Sequence, residues 1–188
     1  MAIVLAIGLI LLGALARVVG LPPGAAPLGA ISLYAGARLP RRWAWIVPLA
    51  AMVASDLILD RIVYPNYPRS PLSLTRLASY ATLAMVALLG GLRRGEAGPW
   101  VRVGMSVGAS TLFYLTTNFA VWATTHGATY PMTAAGLLAC YVAALPFYGN
   151  GLAADLAGTI GLFGVDALVR RAMARKASRR PALVPHAD

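Results

Sequence analysis

Few side chains in this 188-residue chain can do acid–base, nucleophilic or metal chemistry. There is one cysteine, Cys140, and there are two histidines, His126 and His186. They lack zinc-ligand spacing, and a lone thiol cannot close an intramolecular disulfide. Cys140 reads as a small apolar packing residue. No Ser-His-Asp order, glycine-rich phosphate loop, HExxH or CxxC occurs. No metal or cofactor is implied, and nothing makes a case for an enzyme.

The acidic residues carry more information, because a carboxylate inside an apolar run is costly and by default marks function. Asp56 and Asp60 fall at the end of one such run, and Asp60 beside Arg61 reads as solvated. Asp166 precedes Arg170 by four residues, an i,i+4 pair that makes it structural. Asp155 has no local partner. Two readings stay open for it: pairing with an arginine or hydroxyl of a neighbouring helix, or a ligand site.

The stretch from Ser110 to Asn150 gathers the remaining polar and aromatic groups. Asn118 and Trp122 are four apart and share a helix face. The loop HGATYP then brings His126 and Tyr130. Aromatic rings often form an interfacial belt. A belt leaves Asn118, His126, Asn66 and Asn150 unexplained, whereas aromatic walls with a few polar groups make small-molecule pockets. The expected substrate-binding set is Asn118, Trp122, His126, Tyr130 and Asp155, acting by non-covalent capture. His126 alone is weak support, since a single interfacial histidine is usually solvated.

The elements that must hold this set are set by composition. The chain is 59% hydrophobic and 12% charged, with mean hydropathy +0.71, against about 25% charged in soluble domains. So little charge cannot cover a water-soluble globule, and disorder is excluded by the same numbers. The net charge of +10 is scattered between apolar runs rather than gathered on one face, which argues against nucleic acid. An all-α, polytopic membrane protein is expected, with the lipid bilayer as its solvent. Six spans are read at 2–19, 26–38, 43–60, 75–92, 100–124 and 148–170, forming a compact six-transmembrane-helix bundle. A seventh stretch, 133–146, is an extra short helix, because Pro48 and Pro146 should kink or break their segments.

Charge orients the bundle. With the N-terminus inside, the cytoplasmic side carries Arg38, Arg41, Arg42, Arg93, Arg94, Arg102, Arg170, Arg171, Arg175, Lys176, Arg179 and Arg180. The outer side carries only Arg17, Arg61, Arg69 and Arg76. Both termini are therefore expected in the cytoplasm. Residues 1–172 form one transmembrane domain, and 173–188 a basic, disordered tail that sets topology or touches anionic lipid. Ala14-Leu15-Ala16 resembles a signal-peptide cleavage site, but no basic residue precedes the apolar run. Small residues four apart let helices approach closely in lipid. Gly104/Gly108 and Ala153/Ala157/Gly161 read as internal packing faces, and Ala2/Ala6 as a face for a partner.

Two stretches carry a resemblance. LFYLTTNFAVWATTHGATYPMTAAGLLACYVAALPFYGNGLAADL and PLGAISLYAGARLPRRWAWIVPLAAMVASDLIL are similar to a family of small bacterial multi-pass membrane proteins of unknown function. More distantly, the layout resembles the S components of energy-coupling factor vitamin transporters, six-helix proteins with both termini inside. The elements at Ala35–Arg38 and Ser55–Leu57 share that look. The resemblance implies a bacterial inner membrane location, a small vitamin-like ligand held under the outer loops, and docking of a transmembrane coupling subunit through Ala2 and Ala6. No signature of a particular vitamin is present, and a cobalt-binding role cannot be assigned to Cys140. Substrate capture and uptake is thus the leading expectation. The alternative is a structural or assembly subunit of a larger membrane complex, and a membrane enzyme is the least favoured.

Overall fold

The computed structural model describes residues 2–19, 22–66, 70, 73–92 and 97–178. Tyr67, Arg69, Arg93, Arg94, Arg179, Arg180 and the rest of the terminal segment lie outside the described residues. Six α-helices follow one another: α1 (Ala2–Val18), α2 (Leu28–Arg38), α3 (Arg41–Ile58), α4 (Leu74–Leu92), α5 (Pro99–Thr124) and α6 (Ala134–Ser178). A π-helical turn, Leu59–Val63, extends α3. Among the described residues there is no strand. Prolines punctuate the starts: Pro27 and Pro40 precede α2 and α3, and Pro99 opens α5. A fixed φ and a missing N–H cost nothing there.

The shortest helix is the centre. Every residue of α2 from Leu28 to Gly36 is buried, and α2 packs against each of the other five helices. Small side chains permit this. A Cβ on Gly36 would collide with the Ala87 carbonyl, and one on Gly90 with that of Leu33, so α2 and α4 cross backbone to backbone. Ala6, Leu9, Ile31, Tyr34, Ala35, Leu39, Val47 and Phe163 form the largest apolar cluster. Successive helices alternate in direction. Arg17, Asp56, Arg76 and Asp155 therefore lie towards one end, the upper end below, and Arg38, Arg102 and Asp166 lie at the lower end.

Several expectations are corrected. The short helix 133–146 and the span 148–170 are one continuous helix of 45 residues. Pro146 removes one backbone donor but does not end it, because α5 packs along both sides of the proline. Tyr114 contacts both Tyr141 and Tyr148. Its hydroxyl also donates to the Tyr141 carbonyl at 2.6 Å, next to the carbonyl that Pro146 leaves without its usual donor. Pro48 likewise sits inside an unbroken α3. The helix also runs to Ser178, through the first six residues of the tail expected to be disordered.

The small-residue faces exchange roles. Ala6 is only 1% exposed and Ala2 packs against the same cluster, so the face expected to dock a partner is consumed inside the chain. Gly104, Gly108, Ala153, Ala157 and Gly161 are exposed instead. The reason is that α5 and α6 meet through Ser106, Ser110, Asp155 and Thr159, on their opposite faces.

Candidate functional site

At the upper end the helices leave a cavity of about 520 Å³, within the range of small-molecule clefts. Every helix contributes to its wall. Arg17 comes from α1, Gly29 from α2, Met52 from α3, and Ser79 and Leu83 from α4. On α5, Ser110, Phe113, Tyr114 and Thr117 recur at i, i+3, i+4 and i+7, one helical face, with Asn118 beside them. Phe147, Tyr148, Leu152 and Asp155 close it from α6, and Tyr64 from the segment after α3. The connector Pro22–Gly24 forms part of the rim. Gly24 is required there: its φ is +86°, and a Cβ would stand 2.8 Å from the Phe147 carbonyl oxygen.

Asp155 is a cap as well as a wall residue. One oxygen accepts from the Ala30 amide at 3.0 Å, and the other from the Ser110 hydroxyl at 2.7 Å. Ala30 lies in the first turn of α2, whose own start supplies no side-chain cap. A carboxylate from α6 thus satisfies orphan amides of α2 and meets the positive end of its dipole. Gly29 makes room, since a Cβ there would collide with the carboxylate. Of the two readings left open for Asp155, partnership with a neighbouring hydroxyl is present, and the residue also faces the cavity.

A charged chain flanks the cavity. Arg17 Nη1 donates to Asp56 and to Ser55 Oγ, each at 2.6 Å. The Tyr80 hydroxyl donates to the other Asp56 oxygen at 2.7 Å. Arg76 binds Asp60 at 2.5 Å and approaches Asp56 at 3.7 Å. Asp60 is therefore paired rather than solvated beside Arg61, because α3 and α4 are antiparallel and bring Arg76 to it. Two guanidiniums and two carboxylates balance.

The expected site residues divide. Asn118 and Asp155 line the cavity; Trp122, His126 and Tyr130 do not. The Trp122 indole donates to the Pro131 carbonyl at 3.0 Å and lies beside Phe119. His126 is exposed, with φ +45°, followed by Gly127 at φ +85°. These two residues end α5 in left-handed geometry, so the loop turns across its own helix instead of over the cavity. Cys140 is buried against the Asn118 carbonyl, away from the wall. The residues missed by the sequence reading are Arg17, Ser110, Phe113, Tyr114 and Tyr148. For those on α5, the signal was the i, i+3, i+4, i+7 recurrence.

A family model, described as a family of unknown function (DUF6580), matches residues 1–181. The chain belongs to this family. No curated protein and no solved structure matches it. In this DUF6580 chain the wall offers hydroxyls, an amide, a carboxylate, a guanidinium edge and aromatic faces. Among the described residues no three His, Cys, Asp or Glu side chains come together as a metal-ligand set.

Proposed function

We propose that the chain is an integral membrane protein of six membrane-embedded helices that captures a small molecule in the upper cavity, as the S components it resembles do. The cavity of about 520 Å³ carries this reading. Its aromatic walls and few polar groups fit a small ligand, and a purely structural subunit has no use for them.

The distribution of polarity supports the bilayer. Asp56, Asp155, Ser32, Ser55, Thr82, Ser106, Ser110 and Thr159 are buried, whereas Val4, Leu57, Leu88, Trp100, Ile160 and Val165 are more than half exposed. Such a surface is unfavourable in water and favourable in lipid. Leu74–Leu92 and Ala134–Ser178 are long and apolar enough to cross a membrane, and Ala2–Val18 is a shorter apolar helix. On α3, Arg42 and Asp56 are fourteen residues apart, about 21 Å at the helical rise. Helix α2, about 16 Å long by the same rise, is too short to span alone. It is surrounded by protein, where its ends need no lipid contact. The excess of Arg and Lys on the lower end supports an orientation with that end and both termini in the cytoplasm, and the resemblance supports a bacterial inner membrane. A coupling subunit of the kind S components use would have to meet another face of α1, such as Ile3, Ile7 and Leu11, since Ala6 points inward.

Two experiments test the reading. Single cysteines at positions 126 and 178, in a Cys140→Ser background, should label from outside and only after lysis, respectively. Labelling of both from the same side overturns the topology. Mass spectrometry of detergent-extracted protein should find a small molecule near one per chain, lost from a Tyr114→Ala, Tyr148→Ala double variant that still folds. Equal recovery from wild type and variant removes the cavity from the function.

A further inference from the structure

At the lower end, two arginines share one acid, and a third lies over the same ring as one of them. Asp166 Oδ2 lies 2.8 Å from Arg38 Nη2 and 3.0 Å from Arg170 Nε. The Tyr34 hydroxyl also donates to Asp166, at 3.4 Å. Arg102 has no carboxylate partner among the described residues. Its guanidinium is held over the Phe163 ring, 4.6 Å from the centroid, and that of Arg38 is 5.9 Å from the same ring. The four charged groups leave an excess of two positive charges, although the side chain of Arg38 is only 13% exposed.

Arg38 Nε is buried and has no hydrogen-bond partner. A buried guanidinium donor without an acceptor is costly. Arg38 and Arg102 line a shared cleft between α2, α4, α5 and α6, with Leu33, Gly90 and Met105 as its apolar sides. The space in it is about 20 Å³, room for an atom the size of a water oxygen. Arginines that only fixed orientation would be free to lie in water. These two are instead held against Phe163.

We propose that this cleft binds a phosphate group, one oxygen inserting between Arg38 and Arg102, and that the phosphate belongs to a phospholipid headgroup. Charge-assisted bonds from guanidinium to phosphate are the strong kind, and basic pockets between helices at the cytoplasmic face take anionic headgroups. The lipid source rests on the membrane reading above; the phosphate chemistry does not.

The test uses the full chain, delipidated in detergent, with native mass spectrometry and thermal unfolding as readouts. Phosphatidylglycerol, diacylglycerol with the same acyl chains, and inorganic phosphate are added in turn. Wild type should retain one phosphatidylglycerol and gain thermal stability from it, while diacylglycerol does neither. Arg102→Gln should lower retention about tenfold, the loss of one charge-assisted bond. Arg102→Lys should restore part of it, and Arg171→Gln on the exposed flank should change nothing. Equal stabilisation by inorganic phosphate supports the site with a free anion as its source; stabilisation by the lipid alone supports the headgroup. Equal binding of diacylglycerol, or unchanged retention in a folded Arg102→Gln, overturns the proposal. Should that variant not fold, the contrast between phosphatidylglycerol and diacylglycerol on wild type decides. A chain that stays in solution without detergent fails the membrane reading, and the inorganic phosphate arm then tests the cleft alone.

Discussion

The two ends of the bundle hold similar charges in opposite ways. At the upper end, Arg17, Asp56, Arg76 and Asp60 alternate in sign, and the space beside them is about 520 Å³. At the lower end, Arg38 and Arg170 share Asp166, Arg102 stands without an acid among the described residues, and the cleft holds about 20 Å³. Balanced charge lines a chamber, while unbalanced charge lines a slot. A balanced wall can be dry between occupants, because each buried ion has its partner. A slot with surplus charge depends on an anion from outside. The same helices thus build one region complete in itself and another that is complete only with its surroundings.

The upper network should therefore be the most sensitive part of the molecule. Arg17→Met leaves Asp56 buried without its closest cation and should cost about 3–5 kcal/mol, read as a fall in unfolding temperature in detergent. The double variant Arg17→Met, Asp56→Leu should recover more than half of that loss, since removing both ions restores balance. No recovery would mean that the pair stabilises by packing rather than by charge. Next in size is Asp155→Ala, which strips the Ala30 amide of its acceptor and leaves the Ser110 hydroxyl only the longer bond to the Ser106 carbonyl, at 3.1 Å. It should cost about 1–3 kcal/mol, one unsatisfied amide, and Asp155→Asn clearly less because one oxygen remains. Equal losses in the two variants would put the cost on shape instead of the cap.

How much of this was legible depends on the range of the interaction. The all-helical class and the apolar runs are local properties, and the first five helices fall within two residues of the spans read from the apolar runs. The Asp166–Arg170 pair, four residues apart, was also readable. Asp155 was recognised as a buried carboxylate, but its amide partner is 125 positions away on α2, and no spacing rule reaches that far. Pro146 misled because a proline's local effect was counted without the α5 side chains that support the helix across it. His126, Trp122 and Tyr130 misled for the converse reason. Nearness in sequence to Asn118 suggested one site, whereas the left-handed turn at His126 and Gly127 directs that loop elsewhere.

The cavity and that loop separate most sharply in binding. Asn118→Ala and Tyr148→Ala should each weaken ligand affinity by about 1–3 kcal/mol, roughly 5- to 150-fold, measured by titration of the co-purified molecule. Trp122→Ala, outside the wall, should leave affinity within a factor of about three while lowering stability slightly through the lost bond to Pro131. If Trp122→Ala weakens binding as much as Asn118→Ala, the loop closes over the ligand in the bound state and the division drawn between them is wrong.

The smallest effect expected is at His126, and its sign is what informs. A non-glycine residue in the left-handed region carries about 1 kcal/mol of backbone strain. His126 occupies it at φ +45°, exposed, without lining the cavity. Glycine relieves that strain but adds freedom to the unfolded chain, so the two terms largely offset. His126→Gly should thus leave stability unchanged or raise it by about 0.5 kcal/mol, with ligand affinity and its pH dependence unaltered. His126→Val should lower stability, because a β-branched residue fits left-handed geometry poorly. Loss of binding in His126→Gly, with unfolding temperature preserved, would show that the imidazole touches the ligand. The residue would then belong to the chamber rather than to the turn that ends α5.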